Sequence, residues 1–266
     1  MKIKQVLEAL ERFAPLPLQE NWDNAGLQIG LTEAEVSGAL LCLDVTESII
    51  DEAVAKGCNL VVSHHPLLFR GLKQVSDATD VQRTVRKAIL NDVAVVSLHT
   101  NLDNARGGVN FKIAERLGLQ HVHFGLEPED GALSGSPAEK GQWVMGQLEE
   151  PMDARAFIAL VKDCMEANCA MCNELLLRPI SKVAICGGAG DFLLDEVIAN
   201  GADAFITGEM HYHQYFGHEQ QIQICVIGHY ESEHFTAELL RDVIGRDCPD
   251  VRCKIAKTNT NPILYL

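Results

Sequence analysis

Val61-Val62-Ser63-His64-His65-Pro66 is the stretch on which the reading of this chain turns. Asn59 to Val62 is a short apolar run of strand type, and Pro66 lacks the N–H that would carry a ladder further. Consecutive residues within a strand face opposite sides of its sheet. Two adjacent histidines that serve one site must therefore stand just beyond the strand end, where the backbone turns. In an open α/β sheet that is the edge at which ligands collect. A related format occurs twice more. His99-Thr100-Asn101-Leu102-Asp103 follows the apolar run Val93 to Val96, and His229-Tyr230-Glu231-Ser232-Glu233 follows Ile222 to Ile227. Each is a predicted strand that ends in a histidine, three residues and a carboxylate.

Strands and helices alternate around these points. Ile3, Val6, Leu7, Leu10 and Phe13 recur at helical spacing, and Pro15 and Pro17 halt that helix. Glu20-Asn21-Trp22-Asp23-Asn24-Ala25-Gly26-Leu27-Gln28 is a polar loop with one large aromatic. A strand over Ala39 to Leu43 and a helix over Glu47 to Lys56, closed by Gly57, lead into Asn59 to Val62 and complete a βαβ unit. Further helices are predicted at Gln82 to Asn91, Phe111 to Leu117 and Ala154 to Ala167, and strands at Val93 to Leu98 and Trp143 to Leu148. Val183 to Cys186 opens a second βαβ unit. Glu127 to Gly141, rich in Gly, Pro, Ser and acids, reads as a linker. It divides the chain into a first α/β lobe over 1–126 and a second over 127–266, whose segment around 228–233 is expected to return to a metal site shared with the first.

The second half repeats the first. Asp51-Glu52 matches Asp195-Glu196, Gly57 matches Gly201, Cys42 matches Cys186 and Ser63 aligns with Thr207, all at one offset (195 − 51 = 201 − 57 = 186 − 42 = 144). His99 pairs with His229 and Asp103 with Glu233 at an offset of 130. Under the larger offset His64 and His65 correspond to Gly208 and Glu209, so the double histidine belongs to the first copy alone. The predicted class is α/β, with two pseudo-repeated lobes, mixed sheets and one metal site between them.

The totals exclude several functions. A formal charge of −15 argues against non-specific binding to nucleic acid or to an anionic membrane surface. The N-terminal segment reads as an amphipathic helix, not a signal peptide, and no apolar run reaches the roughly 20 residues that cross a bilayer. Nine cysteines, an odd number scattered along the chain, point to reduced thiols in the cytoplasm rather than a disulfide framework.

Neutral imidazoles mixed with carboxylates are a donor set for Zn, Mn, Fe or Co rather than Ca or Mg. His64, His65, His229, Asp103 and Glu233 are more donors than one open catalytic ion needs. They suit two divalent ions per chain with one carboxylate bridging, an arrangement whose chemistry is hydrolysis. The competing reading is that these are strand-end histidines satisfied by local hydrogen bonds. His99, the fourth histidine at a strand end, could be a ligand, could orient Asp103, or could shuttle protons; we assign it to one of the last two roles.

Other candidates are weaker. In Thr207-Gly208-Glu209-Met210-His211-Tyr212-His213 the repeat places Glu209 at a strand end, whereas His211 and His213 are either further ligands or polar loop tips. His121 and His123 are expected to face solvent. Cys164, Cys169 and Cys172 have the spacing of an iron–sulfur loop but a helical setting, so buried thiols are the preferred reading. Gly187-Gly188-Ala189-Gly190 could cradle a phosphate, and reads more simply as a tight strand-to-helix turn.

Taken together, E-N-W-D-N-A-G-L-Q (Glu20 to Gln28), S-H-H-P-L (Ser63 to Leu67), H-T-N-L-D-N (His99 to Asn104), T-G-E (Thr207 to Glu209) and G-H-Y-E-S-E (Gly228 to Glu233) resemble, in order, the Nif3-like family, also known as GTP cyclohydrolase type 2 homologues. The resemblance implies a two-lobed α/β protein with a dinuclear metal centre between the lobes, assembled as a ring-shaped homohexamer. Carried over position by position, its ligands fall on His64, His65, Asp103, His229 and Glu233, with Glu233 as the bridge. The chain has no room for the domain that some members insert between the halves, and no function transfers to the variable segment His211 to His213. Opening a guanine imidazole ring does need a metal-activated water. A triphosphate pocket calls for several basic side chains, and Arg70 and Arg106 are the nearest. The expected function is hydrolysis of a small phosphorylated or heterocyclic metabolite; the alternative is a non-catalytic metal-binding ring or scaffold that docks a partner protein.

Overall fold

The computed structural model describes residues 1–126 and 140–266; the linker expected over Glu127 to Gly141 lies, but for its last two residues, outside them. In chain order the first 105 residues form α1 (Ile3–Phe13), β1 (Gly26–Ile29), β2 (Ala39–Cys42), α2 (Glu47–Ala55), β3 (Leu60–Ser63), α3 (Asp80–Leu90), β4 (Ala94–Ser97) and α4 (Thr100–Asp103). There follow α5 (Val109–Arg116), β5 (Gln120–Phe124), β6 (Val144–Met152), α6 (Ala154–Cys164), β7 (Met171–Cys172), β8 (Ile180–Cys186), α7 (Leu194–Ala199), β9 (Ala204–Thr207), β10 (Gln223–Val226) and α8 (His229–Glu233). The chain closes with α9 (Thr236–Asp247) and β11 (Cys253–Ile255).

These elements form two compact units. The first comprises Met1–Ala105 with His234–Pro262, and the second Arg106–Glu233 with Ile263–Leu266. The division is thus discontinuous, unlike the single boundary between 126 and 127 expected from the linker. Its physical reason is strand pairing. β5 pairs with β6, which draws the chain from Arg106 into the second unit, and β11 pairs with β2, which returns the C-terminal segment to the first.

The sheet of the first unit has the order β1-β4-β3-β2-β11. β2, β3 and β4 are each buried along their whole length, as short apolar runs without alternation should be when helices cover both faces. Leu40, Ile49, Ile50, Val61, Val85 and Val95 are members of one core cluster. On α1 the apolar face of Ile3, Val6, Ala9 and Leu10 is buried, and this helix packs on α9. Only β1 runs antiparallel. Its sequence reads as loop, because an edge strand that starts with glycine and exposes Leu27 carries no apolar run.

The sheet of the second unit has the order β5-β6-β8-β9-β10-β7, with β8, β9 and β10 parallel and the remaining pairings antiparallel. Both sheets are therefore mixed, as predicted. Trp143, Ala184, Val197, Phe205 and Ile224 belong to its core cluster. The repeat is visible in ladder register. Ala39 pairs with Leu60 and Cys42 with Ser63; Val183 pairs with Ala204 and Cys186 with Thr207. Every partner is displaced by the same 144 residues (183 − 39 = 204 − 60 = 186 − 42 = 207 − 63). The third strand is displaced by 129 (223 − 94 = 226 − 97), one fewer than the 130 between His99 and His229. One extra residue thus enters the second copy between strand and histidine. Among the described residues no helix is long and apolar enough to cross a membrane.

Candidate metal centre

The double histidine stands where the sheet of the first unit ends. His64 N and His65 N still donate to Cys42 O and Leu43 O, at 3.2 and 2.9 Å, so the strand runs out without unravelling. The backbone turn behind them is fastened by a pair of buried serines. Ser63 Oγ lies 2.8 Å from Ser97 Oγ, and both hydroxyls reach His65 O, at 2.9 and 3.3 Å. The two rings are then anchored toward opposite neighbours, one beyond each flanking strand. His64 Nδ1 lies 2.8 Å from Leu98 O beyond β4, and His65 Nδ1 lies 2.7 Å from Asp44 Oδ1 beyond β2.

A carbonyl and a carboxylate only accept, so each Nδ1 carries a proton, and in the neutral ring Nε2 then presents its lone pair. His99 has the same format, with Nδ1 2.7 Å from Asp23 Oδ1. One ring nitrogen from each of His64, His65 and His99 lies within 4.8 Å of the others, with ring centroids 4.9 to 5.5 Å apart. Burial pushes the Asp23 pKa upward, but hydrogen bonds from His99 and Thr100 outweigh it and hold the carboxyl down at about 2. Asp23 is therefore a fixed negative charge behind the His99 ring.

His99 caps the single turn of α4, which puts Asp103 one helical turn on and on the same side. His64 Nε2 and Asp103 Oδ1 are 3.6 Å apart. That is longer than a hydrogen bond and close to the roughly 3.4 Å separating neighbouring ligands of one tetrahedral ion with bonds of about 2.1 Å.

The second unit builds a matching pair on α8. His229 and Glu233, four residues apart, bring Nε2 and Oε2 to 3.1 Å, and His229 Nδ1 lies 2.6 Å from Glu209 Oε1. All four strand-end histidines thus have Nδ1 engaged by an oxygen. The local fold demands glycine here. Gly188 has φ +62°, and a Cβ on it would lie 2.4 Å from Glu233 Oε1 and 3.3 Å from His229 Nε2. A Cβ on Gly208 would lie 2.8 Å from the His229 Cα.

A model of the Duf34/NIF3 (NGG1p interacting factor 3) family matches residues 1–262. The chain belongs to the Duf34/NIF3 family. It is similar to a GTP cyclohydrolase 1 type 2 homolog of Clostridium acetobutylicum, 32% identical over 88% of this chain and 85% of that one. A protein of the same description from Campylobacter jejuni is 28% identical over the full length of both. Among solved structures, Staphylococcus aureus protein SA1388 superposes with a TM-score of 0.89 at 25% identity, covering 100% of this chain and 99% of that one.

Three groups in this Duf34/NIF3 chain escaped sequence reading as supports: Asp23, Asp44 and the Nδ1 acceptor role of Glu209. Asp44 could have been found, because it follows the β2 strand at the edge where the histidines gather. Asp23 could not be found by spacing, since 76 residues separate it from His99. Other candidates fall away. The Gly187 to Gly190 loop is a tight turn, as preferred, and no phosphate cradle: Gly187 N, Gly188 N and Gly190 N donate to Asn110 Oδ1, Ser232 Oγ and Thr207 Oγ1. His211 is exposed, and its bond to Asp191 raises its pKa. His213 is exposed on a short 3-10 helix. His121 faces solvent, whereas His123 is half-buried with Nδ1 2.8 Å from Phe124 O. Among the described residues no metal-capable group includes a cysteine; Cys172 instead sits across the ladder from Cys225. Arg106 stacks over Phe124, 4.8 Å from the ring centroid.

Proposed function

We propose that this Duf34/NIF3 protein is a dinuclear metal-dependent hydrolase of a small metabolite. His64, His65, Asp103, His229 and Glu233 would hold the ions. The observation that supports this most directly is the common presentation of the imidazoles. A histidine whose Nδ1–H is committed to an oxygen is held in one tautomer and one orientation, and a carboxylate behind it strengthens Nε2 as a ligand. Neutral imidazole together with carboxylate selects Zn, Mn, Fe or Co over the all-oxygen ions. A pair of such ions lowers the pKa of water and offsets negative charge that develops on attacking and leaving oxygens.

The chain supplies the rest. Asp44, Glu209 and the Leu98 carbonyl fix the ligand rings. His99, backed by the ionised Asp23, takes up the proton released in hydrolysis and returns it to the departing group. The description of the relatives as cyclohydrolase homologues fits a hydrolysis of a heterocycle. Nine free cysteines favour a reducing, cytoplasmic setting. A homohexameric ring, which the family resemblance implies, completes the proposal and is read by light scattering.

The test is metal content per chain, with turnover of a panel of phosphoesters and nucleotides. Wild type is expected to hold a pair of ions, His64→Ala and Glu233→Gln to lose metal and turnover together, and His99→Ala to keep metal while losing turnover. Undiminished turnover in Glu233→Gln, or a wild type that holds no metal, would defeat the reading. A wild type that holds metal and turns over no member of the panel favours the scaffold instead.

A further inference from the structure

The first unit carries two large aromatics beside its histidine cluster that the metal chemistry does not use. Trp22 is 61% exposed and Phe69 is 44% exposed. Their ring centroids lie 5.9 Å apart at an interplanar angle of 63°, and each lies close to His99, at 6.2 and 6.1 Å. Leaving two such rings in water forgoes burial, which a folded chain normally takes up. Nor are they loosely held. Asp23, next to Trp22, is bound to His99 Nδ1 and, through its other oxygen, to Thr100 N at 3.0 Å. Asn24 Nδ2 donates to Leu68 O at 2.6 Å, and Leu68 N donates to Gln28 Oε1 at 3.1 Å, which staples the two aromatic-bearing loops together beside Phe69. Gln28 Nε2 closes the loop on Asn24 O at 2.7 Å.

The E-N-W-D-N-A-G-L-Q stretch therefore supplies the ring, its anchor and both staples. Aromatics that keep much of their surface exposed, on stapled loops beside convergent polar groups, are what a site for a flat ligand requires. We infer that Trp22 and Phe69 form a stacking platform that binds a planar aromatic or heteroaromatic ring and sets it against His99. As a statement about substrate class this rests on the hydrolase reading; as a statement about binding it stands without metal. Aromatic stacking of a nucleobase is sequence-tolerant and is lost on truncation of the ring beneath it.

The chain contains its own reporter. It has two tryptophans, and the second, Trp143, is 2% exposed with Nε1 donating to Glu196 Oε1 at 2.6 Å, so red-shifted emission belongs to Trp22. Guanosine, as a flat probe without phosphate, is titrated into metal-stripped protein while that emission is followed, with ribose 5-phosphate as the ring-less control. Saturable quenching by guanosine alone is expected. Phe69→Ala, which keeps the reporter, should weaken it at least about fivefold, and Phe69→Tyr should restore it. Metal content of the same variants should be unchanged, which separates failure of the platform from failure of the metal site. Equal quenching by both probes, or unaltered affinity in Phe69→Ala, overturns the inference. So does blue-shifted, acrylamide-protected Trp22 emission, which would mean that another copy of the chain covers the rings.

Discussion

His65 Nδ1 hydrogen-bonds to Asp44 Oδ1 at 2.7 Å, and Asp44 Oδ2 in turn accepts from Thr260 Oγ1 at 2.6 Å. The imidazole is thus oriented by a carboxylate that is itself oriented, and the last member of the chain comes from the returning C-terminal segment. Asp44→Ala should lower affinity for Zn or Mn by about 10- to 100-fold, the usual cost of removing a support behind a ligand. Asp44→Asn keeps an acceptor and should fall between. Calorimetric titration of metal into both variants checks this, and equal affinity across the three proteins would show that His65 needs no support.

Gly188 is the second lever. Its φ of +62° disfavours any side chain, and a Cβ would meet Glu233 Oε1 at 2.4 Å. Gly188→Ala should cost about 1–3 kcal/mol in urea denaturation and should displace Glu233 from His229. Metal content should drop with it. Retention of full stability and metal would mean that the turn relaxes freely.

Glu52 sets an acid limit. Partial burial raises its pKa, but Lys56 and Thr258, together with the backbone N–H groups of Lys257 and Thr258, outweigh that and hold the carboxyl at about 2 instead of the ordinary 4.5. A carboxyl depressed on folding stabilises the protein above its unfolded pKa, and that stabilisation disappears as pH falls through the folded one. Stability should therefore decline between about pH 4.5 and 2. Solvent screening keeps the contribution of this clasp to roughly 1–2 kcal/mol. Glu52→Gln should flatten that limb in a series of thermal melts at stepped pH.

Phe205 is fully buried on β9 in the core of the second unit. Phe205→Ala should cost about 3–5 kcal/mol through lost transfer and a residual cavity. Denaturant unfolding followed by Trp143 emission would read it, because Trp143 belongs to the same cluster. A loss under about 1 kcal/mol would mean that the core closes over the gap.

Much of this was legible in the chain itself. Fully buried parallel strands leave apolar runs, and β2, β3, β4 and β9 were found or inferred for that reason. Gly57 and Gly201 close their helices at φ +66° and +77°, as glycine after an apolar-periodic segment predicts. The histidines were legible because a strand end is a position that sequence can locate. β1 and β11 were not, since edge strands have one open side and need no continuous apolar run. The Nδ1 partners were partly hidden as well. Asp23 holds His99 from a loop far upstream, and nothing in spacing reports a contact made by tertiary folding. The compact units also divide the chain elsewhere than at the linker, because the pairing of β11 with β2 reunites distant segments.

That pairing has a bearing on synthesis. α9 and β11 close the first sheet, so the unit containing β2, β3 and β4 cannot be completed until β11 has left the ribosome, whereas nearly all of the second has emerged before then. N-terminal-first folding, the usual order for nascent multidomain chains, is thereby inverted here. In the interval β2 waits as a bare edge, open to strand addition by any neighbouring polypeptide.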